Sequence, residues 1–103
     1  MEVQLLEDVE QFLEQLEQPA LVKVLRTIDL LEEFGSSLRA PHSKPLGKGI
    51  FELRVRGIQE VRLLYAFHKH CAVVLYGFLK KSQRIPRKEI EHASALLKAL
   101  DAV

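Results

Sequence analysis

The stretch GFLKKSQRIPRKEIEHA, residues 77–93, decides how the C-terminal half of the chain folds. It opens as the end of an apolar strand and turns basic through Lys80, Lys81 and Arg84. It then reaches Pro86, which suits the first turn of a helix. Beyond it Ile90, Ala93, Leu97 and Leu100 recur at helical spacing, which predicts a closing helix over 86–101. Arg87 and Lys88 fall in its first turn, where the macrodipole makes a cation unfavourable. Glu89 and Glu91 offset that only in part. So many cations at one junction read either as a solvated charge run or as a surface for an anionic partner.

Working back from this junction, Ala72–Leu79 is continuously apolar, as a central strand covered on both faces would be. Residues 61–67 alternate, with Val61, Leu63, Tyr65 and Phe67 on one side and Arg62, Leu64 and Ala66 on the other. Ile50–Arg56 alternates likewise, Phe51, Leu53 and Val55 against Glu52, Arg54 and Arg56. Gly57–Glu60 is short enough to close a hairpin between them. Pro41, Pro45, Gly47 and Gly49 make residues 36–49 read as an ordered loop. Further upstream, Leu21, Val24, Leu25, Ile28 and Leu31 stripe a helix that Pro19 opens and Gly35 ends. Val9, Phe12, Leu13 and Leu16 stripe a shorter helix with Asp8 as its cap, and Val3–Leu6 is a first short strand. The expected fold class is α+β: an N-terminal helical hairpin packed on a small antiparallel sheet, with a C-terminal helix.

A chain of 103 residues accommodates one domain, residues 1–103, with a single modest core. Its 48% hydrophobic and 28% charged composition is that of a globular protein rather than a disordered one. No apolar run approaches the ~20 residues of a membrane span, and no basic-then-apolar leader opens the chain. Cys71 stands alone, so no internal disulfide forms and the cytoplasm is the expected compartment. The net charge of +1 conceals a separation: residues 1–35 carry −7 and residues 36–103 carry +8. That asymmetry permits a polyanion-binding face on a nearly neutral protein.

Side chains two apart share a face of a strand, so Arg54 and Arg62 are expected on the polar side of the sheet, with Lys80 and Lys81 leaving the last strand nearby. Scattered basic residues would thus converge on one groove able to hold phosphates, with guanidinium groups binding them bidentately. The plainer alternative pairs the same arginines with Glu52 or Glu60 on a solvated face. His68-Lys69-His70-Cys71 suggests metal, but a second ligand pair is missing, because His42 and His92 are isolated. A polar turn between strands explains it better, and no metal or cofactor is expected. Arg62 is expected to be exposed, so removing it should change stability by only ~0.5 kcal/mol.

KPLGKGIFELR (44–54), VRLLYAF (61–67) and VVLYGFLKKSQRIPRKEIEHA (73–93) resemble the phage-derived, HigB-like branch of the RelE/ParE toxin superfamily. The resemblance extends over nearly the whole chain and includes the hairpin ending LLEEFG (30–35). It implies a RelE-like toxin domain that a helix-turn-helix antitoxin neutralises. Its implied activity is endoribonuclease cleavage of mRNA on the ribosome, by metal-free attack of the RNA's own 2′-hydroxyl. By position, Arg54, Arg62, Lys80 and Lys81 match the active face, and Lys44 and Lys48 the basic loop before the strand; Arg84 and Arg87, which follow a strand end and crowd a helix start, are expected with Lys80 and Lys81 on the entry side of the RNA groove. His92 is a spare candidate for proton transfer. The chain departs from well-studied RelE-type ribonucleases at Ile50 and Glu52, where those enzymes carry lysines, and it has no tyrosine after Tyr76. Two other readings accompany the resemblance: a ParE-like inhibitor of DNA gyrase, and a degenerate toxin that only binds its antitoxin.

Overall fold

The computed structural model describes residues 1–101. In chain order the elements are β1 (Glu2–Leu5), α1 (Glu7–Glu14), α2 (Gln18–Phe34), a 3-10 turn at Gly35–Ser37, β2 (Ser43–Gly47), β3 (Ile50–Val55), β4 (Val61–His68), β5 (Cys71–Leu79) and α3 (Arg87–Asp101). They build one five-stranded sheet in the order β1-β5-β4-β3-β2. The fold is α+β, with the helices flanking the sheet.

Strands β3 to β5 pair antiparallel as expected, and β2 adds to β3 in the same sense, whereas β1 joins the far side of β5 in parallel, Leu5 opposite Val74. The sheet is therefore mixed. Residues 36–49 are not all loop: Ser43–Gly47 pairs with β3, Lys44 opposite Glu52. An edge strand needs ladder bonds on one side only, so it tolerates Pro45, and its polar sequence hides it from a hydrophobicity reading. Helix α1 starts at Glu7 with Leu6 as its cap residue and no side-chain cap, so Asp8 lies inside the first turn. There, with Glu7 and Glu10, it still complements the macrodipole.

Helices α1 and α2 cover one face of the sheet. Val9, Leu13, Val24, Ile28 and Leu31 pack there on Leu53, Val55, Leu63, Tyr65 and Val74. Helix α3 covers the other face, where Ala93 packs with Ile50, Leu64, Ala66, Val73 and Leu75. Burial of each such aliphatic side chain is worth about 1.5–3 kcal/mol. The hairpin-side layer continues outward as Phe51, Tyr65 and Phe67, with ring centroids 5.4–5.7 Å apart. The buried Tyr65 hydroxyl meets the Ser43 hydroxyl at 2.6 Å, fastening β2 to the sheet. At Gly77 a Cβ would stand 2.7 Å from the ring of Phe12 and 2.9 Å from Leu63, so only glycine lets α1 lie this close to β5.

One irregularity in β5 controls the geometry of the site. Leu64 is opposite Tyr76 but Tyr65 is opposite Val74, so Leu75 is an extra residue, a β-bulge. Leu75 and Tyr76 consequently both pack on the α3 side. From there the alternation resumes in the opposite phase, placing Tyr76, Phe78 and Lys80 on that side.

Candidate functional site: a basic cleft over a buried ion-pair frame

Arg54 and Arg62 are directly opposite each other on β3 and β4. Like charges so placed repel. Glu52, two residues before Arg54 and on the same face, accounts for the tolerance. Arg54 donates from Nε to Glu52 Oε1 at 2.7 Å, and Arg62 Nε lies 3.3 Å from Glu52 Oε2. Arg62 also donates from its terminal amino groups to Glu60 Oε1 at 3.1 Å and to the Val61 carbonyl at 2.9 Å. Two arginines and two glutamates therefore form a frame with no net charge.

This overturns the exposed placement expected for Arg62. Its side chain is 2% accessible, and Glu52 is equally enclosed. Period two assigns Arg62 to the face opposite Leu63 correctly, but α3 and the 80–86 segment cover that face. The Arg62 Nε and Glu52 Oε2 are buried without an aligned hydrogen bond, so attraction at 3.3 Å holds them rather than a directed bond. Glu60 is the exposed corner of the frame. Its carboxyl is held below the ordinary range, first by the N–H of Gly57 and then by Arg62 and Arg56, against a partial opposing effect of burial.

Above the frame are two adjoining clefts. The first, about 290 Å³, is lined by Lys44, Glu52, Arg54, Lys80 and Arg84 together with apolar groups of α3 and its approach. The second, about 410 Å³, is lined by Arg56, Glu60, Arg62, Lys80, Lys81 and Ser82. Lys80 and Gln83 belong to both. The Lys80 N–H donates to the Glu60 carbonyl at 2.7 Å, which extends the β4–β5 ladder by one residue and fixes where this side chain emerges. The structure thus brings Lys44, Arg54, Lys80 and Arg84 to one cleft and Arg62, Lys80 and Lys81 to the other.

Two sequence candidates are placed elsewhere. Lys48 sits in the tight turn after β2 with φ 57°, beside Gly49, which faces Leu97 of α3. Three residues, including the irregularity between Pro45 and Gly47, separate it from Lys44. Arg87 is 87% exposed and pairs with Glu91 at 3.4 Å, one helical turn on, which answers its awkward position at the start of α3. His92 packs edge-on against Tyr76 with centroids 4.6 Å apart. Burial, reinforced by Glu89, pushes the Tyr76 phenol up. His68 bonds Asp101 at 2.7 Å, while Lys69 and His70, both at positive φ, form the two-residue turn that the sequence suggested. Among the described residues no three His, Cys, Asp or Glu side chains converge as metal ligands.

Sequence reasoning offered Glu52 and Glu60 as partners of these arginines on a solvated face; it missed that Glu52 is enclosed with Arg62, and it gave Arg56 no role in a cleft. The alternation had already put Glu52 beside Arg54, and that adjacency was the available signal.

A mixed sheet between a helical hairpin and one closing helix, with a basic cleft over its second face, is an arrangement compatible with RelE-like toxins. The chain belongs to the family of phage-derived Gp49-like proteins (DUF891), whose family model matches residues 11–98. That family falls within the RelE/ParE-like toxin superfamily, and membership is consistent with the toxin half of a toxin–antitoxin pair. No curated protein matches the chain significantly. Among the described residues no helix is long and apolar enough to cross a membrane.

Proposed function

We propose that the protein is the toxin of a toxin–antitoxin pair and that it cleaves mRNA, with an antitoxin, expected to be of helix-turn-helix type, as its neutralising partner. The observation that carries this reading is the convergence of Arg54, from β3, and Lys80, the residue after β5, on one cleft above the Arg–Glu frame. In the proposed reaction the RNA 2′-oxygen attacks the adjacent phosphorus as its proton leaves, and the 5′-oxygen departs as it gains one. The products are a 2′,3′-cyclic phosphate and a 5′-hydroxyl. Negative charge builds on the non-bridging oxygens, and preorganised donors in the cleft stabilise it.

Arg54 suits that role, because Glu52 fixes its guanidinium before substrate arrives and the fork matches phosphate geometry. Lys80 supplies a second cation, while Lys44, Lys81 and Arg84 bind flanking phosphates. Arg62 acts as a positioning residue: it holds Glu52, which holds Arg54. The geometry gives Lys48 and Arg87 no part in the cleft.

The test is to induce the chain in cells, map new mRNA 5′ ends and assay gyrase in the same lysate. New 5′ ends ahead of any DNA breaks support the ribonuclease. Gyrase trapped on DNA with transcripts intact would establish the inhibitor instead, and neither effect would leave a protein that only binds its antitoxin.

A further inference from the structure

We infer that the cavity between α2 and the open edge of β3 is a second phosphate-binding subsite for the same RNA strand. The inference rests on the ribonuclease reading and extends it. The cavity measures about 340 Å³, within the range of ligand sites. Lys23, Arg26, His42, Arg54 and Arg56 line it together with Thr27 and Leu30, and among the described residues no carboxylate faces it.

The absence of an acid here is unusual for α2, which belongs to the acidic half of the chain. Asp29, Glu32 and Glu33 lie on the same helix, yet none borders the cavity. Among the described residues, Lys23, Arg26 and Arg56 have no ion-pair partner. Lys23 reaches only the carbonyl of Arg56, at 3.3 Å. Cations collected around one mouth repel each other, and a bound phosphate relieves that repulsion.

The edge geometry makes the cavity accessible. The β2–β3 pairing ends at Ser43 and Leu53, followed by one bond from Arg54 N–H to the His42 carbonyl, 2.8 Å. Past that point the β3 edge is free and the cavity occupies the gap. Arg54 is the shared wall between this cavity and the 290 Å³ cleft, and Arg56 is shared with the 410 Å³ cleft. The two arginines are two strand residues apart, about 6.7 Å. A phosphate chain leaving the cleft over Arg54 meets Arg56, Lys23 and Arg26, which line the cavity beyond it.

The test uses the full chain and two RNAs whose 2′-hydroxyls are methylated so that they bind without being cut. One spans only the cleft; the other is several-fold longer. Affinity is measured across a salt series for wild type and for K23Q/R26Q, with melting temperature as the check on folding. The expected result is a loss of about tenfold on the long RNA and a salt slope shallower by roughly 1.4, for two lost single-strand phosphate contacts. Binding of the short RNA should stay within twofold. Long-RNA affinity and slope equal to wild type would overturn the subsite and leave the cavity to an acidic segment of a protein partner. Equal losses on both RNAs would also overturn it, as a general field effect. Wild type that holds neither RNA removes the ribonuclease reading itself, an outcome distinct from either.

Discussion

Replacing Arg62 with Ala should destabilise the protein severely, and the magnitude follows from what surrounds it. The side chain is fully buried, its Nε is 3.3 Å from Glu52 Oε2, and its two amino groups donate to Glu60 and Val61. At an effective dielectric of 20 the attraction at 3.3 Å amounts to about 5 kcal/mol. The Glu60 contact adds less, since that carboxylate is 40% exposed and solvent screens it. Removing one partner of a buried pair costs about 3–5 kcal/mol, because the survivor stays desolvated and uncompensated. Against a total stability of about 5–15 kcal/mol for a domain, R62A should be only marginally folded. A domain of this size loses roughly 4–8 °C per kcal/mol, so its melting temperature should fall by more than 12 °C.

Urea unfolding of wild type, R62A, R62L, E52L and R62L/E52L decides the matter. The double variant replaces the buried pair by apolar side chains and should cost less than the two single changes added together, by at least about 2 kcal/mol, since the residues are in contact. A drop of ~0.5 kcal/mol for R62A, the figure for a surface arginine, would refute the frame. So would simple additivity of the Arg62 and Glu52 changes.

Lys80→Ala should leave unfolding within ~0.5 kcal/mol of wild type while slowing RNA cleavage on the order of 10²–10³, the loss seen for a transition-state donor; single-turnover cleavage beside a urea curve separates the two. Tyr65→Phe orphans the buried Ser43 hydroxyl and should cost about 1–3 kcal/mol by urea unfolding. Burial holds the Tyr65 phenol above its ordinary pKa of 10.0, so its contribution is complete below that value and is lost as pH rises toward the folded pKa. Y65F should accordingly blunt the loss of stability above pH 10, measured as melting temperature against pH. Gly77→Ala drives a methyl into Phe12 and Leu63 and should cost about 1–3 kcal/mol, with Phe12→Leu restoring part of it.

The elements legible in the sequence were those whose stability comes from an unbroken period. Helix α2, the β3–β4 alternation and the apolar β5 all read correctly, because each buries a face that its own residues define. Strand β2 did not: SKPLG has neither alternation nor β-branched residues, and only pairing with β3 makes it a strand. The parallel docking of β1 was equally hidden, since a four-residue segment carries no record of which distant edge it will meet. Arg62 shows the limit at the site. Its face could be read from parity, but its burial depended on α3 and the 80–86 segment covering that face. A pattern within one strand does not contain that information. The family match leaves the same gap, since it covers residues 11–98 without saying which charges are enclosed.

The bulge at Leu75 links the fold to the chemistry proposed for it. With strict alternation along β5, Val73 on the α3 side would put Leu75, Gly77 and Leu79 there too, and Lys80 would emerge on the hairpin side. The extra residue reverses the phase, so Phe78 is opposite Arg62 and Lys80 is beside Glu60, on the face that holds Arg54. The same reversal puts Gly77 under Phe12, where a side chain would prevent α1 from closing over the strand. Glu52 and Glu60 then neutralise the two framework arginines, which allows Arg62 and Glu52 to be buried without leaving net charge inside the sheet. The cations added at the rim, Lys44, Lys80, Lys81 and Arg84, are in excess of that balance. A neutral interior frame carrying an unbalanced cationic rim gives a site both its rigidity and its demand for an anion, and both follow from one inserted residue and one pair of glutamates.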